Sequence, residues 1–438
     1  MKKDFFFLYC IILNLFPNLL IADDLSGQGE VRVEIRNFLE DQLDDTIDRN
    51  LSVFTRFETT YDVGPFKHVL RGFGRVDGHD DDRSIIALED AYFSYSLDED
   101  GEYVLLGGYK TFNWSTTEFF HPVDVINSKN FDSDLDNQEK KGELTLEFEI
   151  SFFDGVINVF YFPKFEEPNY PGPNSRIGGG YQIERAVTIN GEDTTSSQYL
   201  TPQYGARVTQ TVADADLSLH YLNHIDRNFP IIGTNDYINS GAGYIATTSE
   251  VVPFYYKVQQ VGGTYQQVLS DWILKFEYVN RSFDVSDVEV LSIKSILAGS
   301  AKLQRPADHS EVAIGIDYLF HIFKKCELNV FAEAASILNT DEEARAELSL
   351  FQRDVMVGAR LAINDVMGRE FSFNLVKDLE RKNETIINFS YNQRVTDNIK
   401  LNSGIRYISA PQKISLYKEG LEAFDEDGYA YFHLTRFF

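Results

Sequence analysis

Cysteine, tryptophan and long apolar runs are scarce in this sequence. The 438 residues include 2 Cys and 2 Trp, and Cys326 is the one thiol that remains after the N-terminal cleavage predicted below. A single thiol cannot form an internal disulfide, which excludes a small secreted domain held together by disulfides. Beyond the N-terminal segment no run of about 18 apolar residues occurs, which excludes membrane-spanning helices.

Basic residues are also in the minority. The 40 Lys and Arg residues stand against 68 Asp and Glu residues, and the formal net charge is −28. A phosphate backbone would repel a chain of this charge, so nucleic acid is excluded as a partner. The acidic residues concentrate in segments such as 40–48, 77–84, 341–347 and 421–427. These segments either keep the surface solvated or hold divalent cations that bridge to anionic lipopolysaccharide.

The N-terminal residues 1–22 are typical of a secretory signal peptide. Lys2 and Lys3 precede an apolar run, and Ala22 is a small residue at the expected cleavage site. We therefore predict a mature chain of residues 23–438. The alternative is a retained and buried N-terminal segment.

Apolar and polar residues alternate along most of the chain. In 143–151 every second residue is apolar, and Glu143, Glu147 and Glu149 occupy the opposite face. A strand with one apolar and one charged face separates an apolar phase from water. Strands are predicted near 29–37, 51–61, 66–76, 87–97, 102–111, 142–152, 155–163, 200–212, 215–224, 253–267, 270–280, 309–320, 325–335, 349–362, 368–378, 384–394, 397–409 and 428–438.

The connections between these strands alternate in length. Short ones such as 62–65 and 98–101 follow the even-numbered strands, whereas long ones such as 112–141 and 164–199 follow most odd-numbered strands. This layout is typical of an outer-membrane β-barrel, in which closure leaves no strand edge facing lipid. We predict an all-β fold, a single transmembrane antiparallel β-barrel of about 18 strands, with long extracellular loops and short periplasmic turns. The predicted location is the outer membrane of a Gram-negative cell.

The end of the chain fits the same prediction. Phe438 is the last residue, and Leu434, Phe432 and Ala430 continue an apolar alternation. This pattern resembles the signal that outer-membrane proteins present to the barrel insertion machinery, with Arg436 standing where an apolar residue is usual. The expected partners are that machinery, outer-membrane lipids and lipopolysaccharide.

The polar strand faces are predicted to line the barrel lumen. The predicted wall residues are Arg32, Arg36, Arg56, Arg71, Arg75, Lys110, Glu143, Glu147 and Glu149. The arginines lie on predicted strands 1 to 3 and the glutamates on predicted strand 6, so we expect two arcs of unlike charge around the wall. Opposed arcs across a narrow passage would orient permeating ions. The alternative is a lattice of ion pairs that only holds the wall together.

The segment 112–141 is too apolar for a solvated loop and has no strand period. We predict that it folds inward after strand 5, with its apolar residues on the inner wall and Pro122 preventing regular structure. The alternative is a cap that folds outward over the barrel mouth. The predicted constriction residues are Trp114, Glu118, His121, Asp124, Lys129 and Asp132.

Motifs for catalysis or metal binding are weak. Residues 132–143 carry the acidic spacing of a calcium-binding loop, but Asn137 stands at the glycine position and no helix is predicted beside it. No zinc-protease, P-loop, nucleophile-elbow or dinucleotide-binding motif occurs. We predict no enzymatic activity, no cofactor and no metal site, and calcium binding at 132–143 stays open.

The segment LGGYKTFNWSTTEFFHPVDVINSKNF, residues 106–131, resembles part of porin-like outer-membrane barrels of the alginate-export and DUF1302-like kind. In those barrels a strand ends in glycine, and a Gln, a Trp and an aromatic–Pro–x–Asp run lead into a long loop. Lys110 departs from this pattern by replacing the Gln. The residues that take the family's places here are Gly108, Lys110, Trp114, Phe120, Pro122, Asp124 and Asn127. The resemblance implies an eighteen-stranded channel for small or polymeric polar solutes.

These observations together favour a passive outer-membrane channel for diffusion or export of small polar or charged solutes. The alternative is a barrel without an open pore that has a structural or adhesin-like role, and a barrel enzyme is a third, weaker alternative. A monomer and a homotrimer are both compatible with the sequence.

Overall fold

Every long strand pairs antiparallel with the next one along the chain, and the last pairs with the first. We number these strands β1 to β18 in chain order. The closing register between β1 and β18 runs from Glu30 opposite Phe437 to Phe38 opposite Tyr429. The prediction of a closed, all-β antiparallel barrel with eighteen strands is confirmed. The strand bounds are Leu25–Phe38, Arg49–Val63, Phe66–Asp77, Ile85–Ser96, Tyr103–Lys110, Glu143–Phe152, Gly155–Phe162, Gln203–Val212, Ala215–Ile225, Lys257–Leu269, Trp272–Phe283, His309–His321, Cys326–Leu338, Arg353–Ile363, Arg369–Asp378, Thr385–Thr396, Ile399–Ser409 and Tyr429–Phe437.

The structure is a computed structural model of the chain. The predicted signal peptide lies outside the residues that it describes. Those residues are 25–40, 46–178, 182–184, 187–189, 192–194, 200–228, 230–241, 243–248, 250–284, 289–293, 303–322, 326–381, 384–411 and 420–438.

The two faces of the barrel wall have opposite chemistry. Along β11, Phe276 and Tyr278 are exposed on the outside, whereas Lys275, Glu277 and Arg281 are buried on the inside. Successive side chains of a strand point to opposite faces, so the sequence alternation translates directly into an apolar exterior and a charged interior. This arrangement is the reverse of a water-soluble protein, and it suits a wall between lipid and a polar lumen.

Tight turns join the strands at one end of the barrel. The connections 153–154, 213–214 and 270–271 each start with a residue of positive φ, namely Phe153 (46°), Ala213 (53°) and Ser270 (59°). Two-residue hairpin turns use such values because they match the twist of the flanking strands. This is the short-turn end of the barrel.

The opposite, long-loop end carries small elements of its own. A helix, Glu342–Leu348, begins after Asp341, whose side chain accepts a hydrogen bond from the Ala344 N–H and so caps the helix. A 3-10 helix spans Gly420–Phe424. In the described part of the chain no helix is long and apolar enough to cross a membrane. A five-stranded sheet combines Val187–Ile189, Glu192–Thr194, Ile231–Thr234, Val252–Tyr255 and Leu291–Ser292.

Candidate functional site

The segment between β5 and β6, residues 111–142, lies inside the barrel, and we call it the inner loop. It is preceded by Gly108, whose φ of 137° brings its backbone against Ala91 on the neighbouring strand. A Cβ there would collide with the Ala91 carbonyl group, so only glycine permits this exit from β5. Phe112 and Trp114 then pack among inward-facing residues of β7, β9 and β11, including Leu222. Burial of these rings fixes the first part of the inner loop on the wall.

Glu277 of β11 holds the next turn of the inner loop. Its Oε1 accepts hydrogen bonds from Ser115 Oγ (2.6 Å) and from the N–H groups of Thr116 (2.5 Å) and Thr117 (3.0 Å). The Thr117 hydroxyl donates a further bond at 2.9 Å. Hydrogen bonds to an ionised carboxylate are about twice as strong as neutral ones. One buried carboxylate of the wall therefore accepts hydrogen bonds from three consecutive residues of the inner loop.

Glu333 of β13 is a second anchor. Its carboxylate accepts hydrogen bonds from the N–H groups of Glu118 (2.5 Å) and Phe119 (2.9 Å). Beyond this anchor Phe120 enters a second buried apolar cluster with residues of β12 to β16, among them Met356. The inner loop thus crosses the lumen from β5 to the far wall.

The inner loop returns along the basic side of the lumen. Its strand pair Lys129–Asn130 and Glu139–Lys140 brings Glu139 to 2.6 Å from Arg75 of β3. Asp134 and Asp136 both form ion pairs with Arg406 of β17, the latter at 2.8 Å. These contacts place the carboxylates of 133–140 opposite the basic wall.

A cavity of about 710 Å³ remains between the inner loop and the wall formed by β1 to β4 and β15 to β18. Its basic lining includes Arg32, Arg56 and Arg71, whose side chains are 23, 37 and 31% exposed. The opposite wall contributes the amides of Asn374 and Asn388. Since apolar clusters pack against other parts of the inner wall, this polar cavity lies to one side of the lumen.

A second segment, residues 164–178, lies against the inner loop at the long-loop end, and we call it the strap. Asn169 forms backbone hydrogen bonds with Lys129 (3.0 Å) and Phe131 (2.9 Å) of the inner loop. Arg176 near its end lies 2.6 Å from both Asp48 and Asp427, in the connections after β1 and β17. The strap therefore contacts the inner loop and the connections after β1 and β17 at the long-loop end of the barrel.

Two of the six predicted constriction residues line the cavity, Glu118 and His121. The Glu118 carboxylate lies 3.3 Å from Lys275 and 3.6 Å from Arg360. His121 Nδ1 lies 2.8 Å from Ser115 Oγ, and burial lowers the pKa of His121, so its imidazole is neutral at pH 7.

The other four do not line the cavity, which corrects their predicted orientation. Asp124 forms an ion pair with Lys140 (2.5 Å), and Asp132 accepts a hydrogen bond from Ser175 of the strap (3.1 Å). Asp124 and Asp132 therefore contact the inner loop and the strap and do not face the cavity. The four residues are Trp114, Asp124, Lys129 and Asp132.

The five predicted wall arginines all line the cavity, but the other predicted wall residues do not. Lys110 and Glu147 pair with each other at 2.5 Å, Glu143 is fully buried beside Arg227 (2.9 Å), and Glu149 accepts a hydrogen bond from Asn158 (3.0 Å). The expected acidic arc on β6 therefore needs correction, because Glu143 and Glu147 pair with basic side chains and none of the three carboxylates lines the cavity. The carboxylates that pair with the arginines belong to β1, β4 and the inner loop, with Glu34 beside Arg32 and Arg75, Glu89 beside Arg56 and Arg71, and Glu139 beside Arg75. The five arginines are Arg32, Arg36, Arg56, Arg71 and Arg75.

The calcium-like spacing does not form a site. Asp134 and Asp136 turn to Arg406, whereas Glu143 turns to Arg227. Within the described ranges no group of three or more His, Cys, Asp or Glu side chains is arranged to hold a metal ion. The arginines that pair with these carboxylates come from distant parts of the chain. Carboxylates that are close in sequence are therefore drawn apart.

No protein-family model and no curated protein matches the sequence. Among solved structures, a triple mutant of the Rhodopseudomonas blastica porin is 12% identical, with 94% of this chain and 100% of that chain covered and a TM-score of 0.45. Outer-membrane expressed OmpT of Vibrio cholerae is 12% identical, with 96% and 99% covered and a TM-score of 0.44. Values this low carry no argument about family or function, and the fold rests on the strand pairing of the chain itself.

Proposed function

We propose that the chain is a porin-like outer-membrane channel for small polar or charged solutes. The observation that carries the proposal is the polar cavity of about 710 Å³ beside an inward-folded loop, inside a barrel whose exterior is apolar. A lumen of this polarity holds water, and water supports diffusion of polar solutes. The proposal includes no enzymatic activity and no cofactor.

The proposed location is the outer membrane of a Gram-negative cell. The exposed apolar residues of the strands, such as Phe93, Leu146 and Phe276, would face lipid. Lipopolysaccharide, membrane lipids and the barrel insertion machinery are the partners that this location implies. Membership of the alginate-export or DUF1302-like group rests on residues 106–131 and is part of the proposal.

The charge of the passage favours anions. Eight Arg or Lys and six Asp or Glu side chains line the cavity, so the local balance is positive although the whole chain is strongly acidic. Fixed charges inside a low-dielectric wall act on permeating ions more strongly than surface charges do. We therefore expect a moderate preference for anions over cations in planar bilayers.

Removing the three most accessible arginines should reverse this preference. We expect the combined variant Arg32→Gln, Arg56→Gln and Arg71→Gln to favour cations, since five positive groups would then face six negative ones. Reversal potentials in a salt gradient measure the change. Arg369→Gln, at an exposed position of the short-turn end (45% exposed), is the matched control. Unchanged reversal potentials in the triple variant would contradict the assigned path.

Asp136 should make the selectivity depend on pH. Burial raises the pKa of Asp136 to about 6; the Arg406 charge opposes this shift and the Asp134 carboxylate supports it. Because this pKa lies above the usual value of 3.8, Asp136 gains a proton as pH falls through about 6. The cavity then loses a negative charge, so anion preference should increase on acidification. Asp136→Asn should remove this step, whereas Asp365→Asn at the short-turn end should retain it.

A barrel without an open pore is the second candidate function. The strap favours it, because Arg176 is buried and joins connections across the long-loop end. Single-channel recording from the purified folded barrel separates the two. Steps of conductance above background support the channel, and their complete absence supports a structural or adhesin-like barrel.

A further inference from the structure

Three buried carboxylates stand side by side at the long-loop rim of β14, β15 and β16. Asp354 and Asp378 are directly opposite each other in the register of β14 and β15. Glu384 precedes β16, and its carbonyl accepts a hydrogen bond from the Asp378 N–H (3.3 Å). The three side chains are 1, 2 and 3% exposed. Each lies two residues from a member of the second apolar cluster, so the row faces the inside of the barrel.

The positive charge near this row is that of Arg381, which pairs with a carboxylate at one end of the row only. Arg381 lies 2.5 Å from Glu384 and 2.9 Å from Glu422 of the 3-10 helix. Among the described residues neither Asp354 nor Asp378 takes part in an ion pair. Like charges directly opposite on neighbouring strands are destabilising, and this pair is also removed from water.

Several carboxylate oxygens of the row have no hydrogen-bond partner. Asp378 Oδ1 accepts N–H groups of Glu380 and Arg381, both at 2.7 Å. Both oxygens of Asp354 and Oδ2 of Asp378 accept none in the described part of the chain, whereas Glu384 is held by Arg381. Burying an ionised carboxylate without a partner costs several kcal/mol, so either a bound cation or a proton would stabilise the aspartate pair.

We propose that Asp354 and Asp378 bind a divalent cation, with Glu384 beside them. The row offers only carboxylate oxygens, which select hard cations such as Ca²⁺ or Mg²⁺ and disfavour thiolate- or imidazole-seeking metals. Since no shell of three or more side chains is preassembled in the described ranges, the ion is held by the aspartate pair and water completes its coordination, as is common for Mg²⁺. The proposal does not depend on whether the barrel conducts.

Equilibrium dialysis of the folded full-length barrel, stripped with EDTA and then titrated with CaCl₂ or MgCl₂ in detergent, tests the site. We expect one saturable ion per chain and a higher unfolding temperature with the ion bound. Asp354→Asn and Asp378→Asn should each abolish the saturable binding. Without metal, both variants should unfold at a higher temperature than the metal-free wild type, because the opposed charges are gone.

Asp365→Asn, in an exposed turn at the other end of the barrel, is the control that should bind like the wild type. Unchanged saturable binding in Asp354→Asn and Asp378→Asn would mean an adventitious ion only, held by the acidic loops, and would overturn the proposal. Absence of ion binding, with stability of the wild type but not of Asp354→Asn rising on acidification, would overturn it in favour of a shared proton. Glu384→Gln, which leaves the aspartate pair intact, should weaken binding without abolishing it.

Discussion

Replacing Glu277 and Glu333 together by alanine should free the inner loop and raise the single-channel conductance of the barrel. The two carboxylates accept the hydrogen bonds of consecutive turns, residues 115–117 and 118–120. Without them at least five N–H or O–H groups lose their acceptors on the wall. The inner loop would then occupy less well-defined positions, and the cavity beside it would widen.

The expected effect is large because the lost bonds are charge-assisted. A hydrogen bond to a charged group contributes about 1.5–3 kcal/mol, and Glu277 alone accepts four at 3.0 Å or less from backbone or hydroxyl groups of Ser115, Thr116 and Thr117. After allowing for the desolvation that alanine avoids, we expect docking of the inner loop to weaken by about 3 kcal/mol. The apolar clusters around Trp114 and Phe120 still oppose complete release.

Two variants make this experiment specific. Glu277→Gln keeps an accepting oxygen in the same place and should change conductance little. Glu327→Ala, at a half-exposed position of β13 (43% exposed), removes a carboxylate that touches no part of the inner loop and should leave conductance unaltered. Resistance of the folded barrel to SDS at room temperature reports that each variant is folded. A folded double variant with wild-type conductance would show that the anchors do not position the inner loop.

Replacing Arg176 by alanine should detach the strap and, for the channel proposed above, increase the fraction of time that it is open. The guanidinium is fully buried, forms ion pairs with Asp427 and Asp48, and donates to the carbonyl groups of Glu40 (2.8 Å) and Glu426 (3.1 Å). Removing one partner of a buried ion pair costs about 3–5 kcal/mol, because the other charge is left unpaired. Asp427 is buried, so its carboxylate would be the charge left unpaired.

The strap can move while the barrel stays intact, since its contacts are made outside the strand ladder. We therefore expect wild-type folding of Arg176→Ala with longer openings in single-channel records and faster proteolysis near residues 164–178. Arg353→Ala is the matched control, an exposed arginine of the long-loop end whose ion pair with Glu380 spans 3.8 Å. Unchanged gating together with unchanged proteolysis in Arg176→Ala would contradict the proposed role of the strap.

The barrel itself could be predicted because its causes are local. A strand whose residues alternate between apolar and charged states has one compatible orientation in a wall between lipid and water, and two-residue turns force neighbouring strands to pair. Each of these signals lies within about a dozen residues, so β11 or β6 could be placed without knowing any other strand. The same alternation assigned Arg32 and Arg56 to the lumen.

The candidate site could be predicted only in part, because its contacts join distant residues. Thr116 and Glu277 are 161 positions apart, and Asp134 and Arg406 are 272 apart. Asp134 and Asp136 looked like calcium ligands in the sequence, and no local signal could show that an arginine on β17 would take them. Glu139, which forms an ion pair with Arg75, carried no local signal for that contact.

The sequence by itself determined the strand count, the closure of the barrel and which face of each strand is polar. A period-2 pattern and turn chemistry act over short distances. Only the tertiary structure decided which charged lumen residues line the cavity and which form buried pairs away from it. The glutamates of β6 and the arginines of β1 to β3 have the same inward orientation. In the first group Glu143 pairs with Arg227 and Glu147 with Lys110, whereas the second group lines the cavity beside the inner loop. The path of the inner loop depends on anchors supplied by the far side of the barrel.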